Sequence, residues 1–376
     1  MDDPRRFPPA AAAPPSCARL HALAVDSLGA QTGAQSDACD AQIGLALDAL
    51  LAGPDAAALE ALFATAPSSA VYRHLWRLLA RRERAGAPEP SHLVRLVAVP
   101  VVVVAAAESA AASGTVLPCV LPHTSILSDL LREHRALAGN ETVALGNTLV
   151  GADALDFARL PELFASRALA DSPRARALPP LPITVAGAVE SVHLRFLVGS
   201  ALAAPGANLF RDTEVGKWGI PFAQALSRAL AAPGVSVLAL PRPPLPLVEA
   251  AWIGRVAQRE VGAQIFASNA VRKLRAGTGE PSAVISVHRI DGDDAGAEVR
   301  LSLSSPFDPR AAEGLRCPLW PLDRVDDVVL MLATLLEDCR VTDVRRKPGV
   351  HPDRDPDTGL PLLFKAQSEP PASALH

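Results

Sequence analysis

Residues 297–304, Ala-Glu-Val-Arg-Leu-Ser-Leu-Ser, alternate apolar and polar side chains without a break. Successive side chains of a strand point to opposite faces, so a period of two fits a strand and no helix. Ala297, Val299, Leu301 and Leu303 are expected on a buried face. Glu298, Arg300, Ser302 and Ser304 are expected on a wet one. Residues 283–290 form a second strand-like run. Between the two lies Asp291-Gly-Asp-Asp-Ala-Gly296, rich in turn residues. The spacing predicts a β-hairpin over 283–304.

Strands and long helices alternate around this hairpin. Ser191–Val198 reads as a strand closed by Gly199. Thr213–Ala231 reads as a helix with Val215, Trp218, Phe222, Leu226 and Leu230 on one face, capped by Asp212 or Thr213. Val235–Leu240 reads as a strand and 247–275 as a long helix. A helix over 324–338 is capped by Asp323, and strands at 341–346 and 360–364 close the chain. The order β-α-β-α-β-β-α-β-β predicts an α/β fold, with a mixed, partly parallel sheet flanked by helices in the C-terminal half.

The N-terminal half is expected to hold a helical segment and a smaller α/β region. Helices are predicted at 40–52, 55–65, 68–86, 124–138 and 152–169, and strands at Leu93–Val104, Val116–Leu121 and Thr142–Leu149. Residues 1–37 and 366–376 lack periodicity and are expected to be disordered tails. Residues 171–182 form a Pro-rich break. The expected division is therefore a tail over 1–37, a region over 38–180, an α/β domain over 181–365 and a tail over 366–376, in line with two domains for 376 residues.

Composition narrows the function classes. The net charge of −4 argues against a strongly basic nucleic-acid binder. Arginine supplies 32 of the 36 basic residues, and with abundant Ala, Pro and Gly this reads as the codon bias of a GC-rich bacterial genome. Five cysteines, Cys17, Cys39, Cys119, Cys317 and Cys339, are odd in number and widely spaced, so reduced thiols in the cytoplasm are expected rather than a disulfide framework. Residues 1–16 contain no leucine-rich signal core. The longest apolar run, Leu96–Ala107, is interrupted by Pro100 and reads as a buried strand, not a membrane span.

Catalytic motifs are missing. Gly216-Lys217 has Arg211 and Trp218 where a phosphate-binding loop needs glycine and Ser or Thr. There is no G-x-S-x-G elbow and no H-E-x-x-H. The 291–296 loop resembles a calcium loop but lacks its closing glutamate. Cys119 and His123 are separated by Pro122, which breaks any helix that would stack them. No cofactor and no metal is expected.

Two constellations remain. His123 and Arg242 each follow a strand that ends in Leu-Pro, and Ser200 follows the strand closed at Gly199. In open parallel sheets ligands lie beyond such strand ends. Arg211, Asp212, Glu214 and Lys217 gather at the next helix start, and the set would suit a small anionic ligand, with Asp212 or Glu214 as acid or base. The second constellation is Arg73, Arg77, Arg81 and Arg84, spaced along one helix face with Tyr72 and Trp76 adjoining, a pattern that binds nucleic-acid backbone. The absence of motifs favours a non-enzymatic binding, adaptor or regulatory protein, acting on a protein partner or on itself. An enzyme or receptor for a small anion, and nucleic-acid association, are the alternatives. No membrane partner is expected.

Overall fold

The computed structural model describes residues 15–52, 56–85, 93–105, 125–133, 142–157, 160, 191–203, 215–229, 235–239, 244–277, 279–290, 296–305, 312–355 and 362–364. It is of the mixed α/β class and carries two four-stranded sheets. The chain divides into two compact units, Met1–Gln258 and Arg259–His376.

In the first unit, helices α1 (Pro15–Gly29), α2 (Gly33–Ala52), α3 (Ala56–Ala64) and α4 (Ser69–Ala85) pack together. The tail expected over 1–37 is thus helical from Pro15. Cys17, Leu20 and Ala24 are buried, and His21 Nε2 lies 2.8 Å from the Leu62 carbonyl. Few large apolar residues mark this face, so periodicity alone misses it. The predicted helices at 40–52, 55–65 and 68–86 correspond to α2, α3 and α4.

Strands β1 (Leu93–Ala105), β2 (Thr142–Gly151), β3 (Ser191–Ala203) and β4 (Val235–Ala239) form the first sheet, in the order β2-β3-β1-β4. Every pair in it is antiparallel. The sheet joins strands from both sides of the Pro-rich break at 171–182, which itself lies outside the described residues. Central β1 tolerates Pro100 because its β4 side is interrupted there. Pairing with β4 begins at Val101, and Ala98 pairs instead with Leu245. The missing N–H therefore falls in a gap of the ladder. Helices α5 (Ser125–Glu133) and α6 (Val215–Ala229) cover one face, where Trp218, Phe222 and Leu226 meet Val97, Val99, Val101 and Val103. Trp218, Phe222 and Leu226 of the stripe predicted on 213–231 lie on this buried face; the side chain of Val215 and all of Leu230 lie outside the described residues. Within the helix expected at 152–169 the described residues are a 3-10 turn, Ala152–Leu155, then Asp156 and Phe157, and a helical Leu160 whose N–H bonds to the Asp156 carbonyl at 3.2 Å.

Helix α7 (Leu247–Gly277) starts in the first unit. Buried Glu83 of α4 accepts the Leu247 N–H and, at 2.9 Å, the Val248 N–H, so a distant carboxylate caps the helix.

In the second unit β5 (Ser282–Arg289), β6 (Ala297–Ser304), β7 (Ala312–Pro318) and β8 (Asp343–His351) take the order β7-β6-β5-β8. The predicted hairpin is β5–β6, antiparallel, and β8 lies parallel to β5. Ala283, Ile285, Val299, Leu301 and Leu303 pack against Val271 and Leu274 of α7 and against Val328, Leu332 and Leu336 of α8 (Val325–Asp338). Asp323 does not cap α8. Its carboxylate accepts the Trp320 N–H at 2.8 Å and grips Arg259 at 2.6 and 2.8 Å. Among the described residues no helix is long and apolar enough to cross a membrane.

Candidate polar site on the second sheet

The face of β6 expected to be wet is buried. Glu298, Arg300, Ser302 and Ser304 are at most 3% exposed, as are Ser286 and His288 of β5. The reason is a cover that arrives late in the chain. After β8, Pro352–Asp355 and Leu362–Phe364 lie against this face, and we call these two described pieces the strap. A final strand was expected at 360–364. Leu362–Phe364 instead carry no strand, and the Leu362 N–H bonds to the Asp353 carbonyl at 2.9 Å.

Arg300 organises the face. Its Nη1 donates to the main-chain carbonyls of Asp353 at 2.6 Å and Leu362 at 2.9 Å. Its Nη2 donates to Asp353 Oδ1, and its Nε donates to Glu298. Arg316 of β7 stands opposite Arg300, donates to both Glu298 oxygens at 2.9 and 3.0 Å, and approaches Asp353 Oδ1 at 3.6 Å. The guanidiniums of Arg300 and Arg316 thus face Glu298 and Asp353, with Asp353 between them, and the more exposed Arg354 Nε lies 3.8 Å from Asp353 Oδ2. Gly314 makes room beside them, since a Cβ there would meet Leu363 Cδ1 at 2.6 Å.

His288 completes the row. Its Nδ1 lies 2.8 Å from the Pro352 carbonyl and its Nε2 2.8 Å from Ser286 Oγ. A carbonyl only accepts, so Nδ1 carries the proton and Nε2 accepts from the Ser286 hydroxyl. Burial holds the His288 pKa below its ordinary value. The Pro352 hydrogen bond opposes that shift, and Arg300 and His351 add to it. Phe364 of the strap packs on His351, with ring centres 4.7 Å apart, and Lys347 Nζ lies 4.9 Å over the same ring. Two buried atoms of this face, Ser302 Oγ and His351 Nε2, have no hydrogen-bond partner among the described residues.

Ser286 and His288 have the contact geometry of a nucleophile and base. Both are closed from solvent, and the group orienting the imidazole belongs to the strap itself. The arrangement as it stands grips a polypeptide. Among the described residues no group of three or more His, Cys, Asp or Glu is placed to hold a metal ion.

The residues singled out in the sequence lie elsewhere. Ser200 sits inside β3, which runs on to Ala203, and pairs with Leu96 and Ala144. The strand-end rule has no footing in the first sheet, because β3 and β4 both run antiparallel to β1. Lys217 is exposed in the first turn of α6. His123, Arg211, Asp212, Glu214 and Arg242 lie outside the described residues, as do Cys119 and nearly all of the 291–296 loop.

On α4, Arg77 and Arg81 are exposed and Arg73 is half-buried. Arg84 belongs to the same helix, with its side chain outside the described set. Tyr72 is packed into the first unit. Its ring packs against Phe63 at 5.1 Å and Phe157 at 6.4 Å, and burial raises its pKa to about 12. The stripe therefore loses one of its two stacking partners.

The signal for the strap site was present in the sequence as two charges, Glu298 and Arg300, on the polar side of β6. No protein-family model, no curated protein and no solved structure matches the chain.

Proposed function

We propose that the protein is a non-enzymatic binding protein, and that the polar face of the second sheet holds an extended acidic peptide segment. The observation that supports this reading is the grip of Arg300, which combines two main-chain carbonyls with one carboxylate. Main-chain contacts give affinity for an extended chain, and the paired guanidiniums select a carboxylate. The strap is then a ligand supplied in cis. Asp353 and Leu362 are held by hydrogen bonds to Arg300, and Leu363 stays 38% exposed. Segments with few buried apolar contacts open at low cost.

The test is binding in trans. A fluorescein-labelled peptide of residues 351–365 is titrated against the full-length Asp353→Asn variant, whose own strap lacks the carboxylate. The peptide should bind this variant about tenfold tighter than it binds the wild-type chain. The same peptide with asparagine at 353 should bind about tenfold more weakly, as expected for one charge-assisted contact. Leu363→Ser, which loosens the strap without altering the sheet, should also admit the peptide and serves if Asp353→Asn does not fold. No binding to a folded variant, or equal binding of both peptides, would overturn the reading.

The four described cysteines are free. They support a reducing, cytoplasmic setting. Disulfides found by thiol titration of freshly isolated protein would contradict that placement.

A further inference from the structure

We infer that the peptide site on the second sheet selects aspartate over glutamate, although the two carry the same charge; this rests on the reading of the strap as a segment bound in cis. The inference comes from a clamp closed on a single residue. Arg300 Nη1 donates to the Asp353 main-chain carbonyl at 2.6 Å, and Nη2 of the same guanidinium donates to Asp353 Oδ1. One planar fork therefore holds the backbone and the side chain of one residue together.

Such a clamp has a fixed span. An aspartate carboxylate stands one methylene from Cα, and a glutamate carboxylate stands one bond further out, by about 1.5 Å. A glutamate at this position keeps the carbonyl contact or the carboxylate contact at the expense of the other. Arg300 is not free to follow it. The side chain is fully buried, its Nε donates to Glu298, and its Nη1 also donates to the Leu362 carbonyl at 2.9 Å. The backbone of the bound residue is anchored as well. His288 Nδ1 donates to the Pro352 carbonyl at 2.8 Å, and the Asp353 carbonyl accepts the Leu362 N–H at 2.9 Å.

Selection is confined to this one side chain. Asp353 is buried, whereas Pro352 and Arg354 on either side of it are exposed. Arg316 adds positive charge without measuring length. It is half-exposed, stays 3.6 Å from Asp353 Oδ1, and makes its short bonds to Glu298 instead. Attraction of that kind acts on any nearby carboxylate, so Arg316 favours aspartate and glutamate alike.

The experiment titrates two fluorescein-labelled peptides of residues 351–365, the native one and one carrying Asp353→Glu, against the full-length Asp353→Asn chain at neutral pH. Leu363→Ser is the receptor if that chain does not fold. The peptides have equal net charge, so the comparison isolates side-chain length. The aspartate peptide should bind at least about tenfold tighter, the loss expected when one charge-assisted hydrogen bond is broken. Adding Arg316→Gln to the receptor should weaken both peptides and leave their ratio unchanged. Equal affinities, or a ratio that vanishes with Arg316→Gln, would overturn the inference and leave the binding reading standing. If the Arg316→Gln receptor does not fold, the ratio on the parent receptor decides. Binding of neither peptide to a folded receptor overturns both.

Discussion

Replacing Arg300 with alanine is expected to destabilise the second unit by about 3–5 kcal/mol, because it leaves Glu298 and Asp353 buried without their principal partner. The loss should appear as faster hydrogen exchange of the β5 and β6 amides, with the β1 and β3 amides of the first unit unchanged. Desolvation makes the intact network weakly stabilising at best, so the cost comes from breaking it, not from the attraction it supplies. A triple change of Glu298, Arg300 and Asp353 to apolar residues of similar volume should accordingly be near neutral or stabilising. If Arg300→Ala costs less than about 1 kcal/mol, the carboxylates are solvated and the buried site described above does not exist.

The second large effect lies in the first unit. Phe222→Ala should cost about 3–5 kcal/mol, the range for removing a fully buried aromatic ring from a packed core. Phe222 is 0% exposed, meets Trp218 edge-on with centroids 6.1 Å apart, and belongs to the cluster with Val99, Leu131 and Leu197. Here the β1 and β3 amides should lose protection while β5 and β6 keep theirs. Equal loss in both sets would mean that the two units unfold together.

The elements most legible in the sequence carry their own period. The β5–β6 hairpin lies where the alternation of 297–304 puts it. The α6 face is set by Trp218, Phe222 and Leu226, and both features are local. Alternation also assigned Glu298 and Arg300 to one face correctly. It also predicted that face to be wet, which the structure overturns, because the cover comes from Asp353 and Leu362, more than fifty residues further along. An arginine bonded to main-chain carbonyls leaves no pattern in either strand. Helix α1 was hidden for a different reason, since Leu20 shares its buried face with cysteine, histidine, alanine and serine rather than with further leucines. Asp323 had the residue type and position of a cap, but Arg259 and the Trp320 N–H hold its carboxylate instead.

The central claim is that the strap is a bound segment rather than part of the second unit's core. Native-state hydrogen exchange of the wild-type chain at neutral pH tests it most directly, through the Leu362 amide that bonds to Asp353. The account predicts that Leu362 exchanges by a local opening, at least about a hundredfold faster than Ile285 and Leu301 in β5 and β6. Exchange of all three at one common rate, through unfolding of the whole unit, would contradict it.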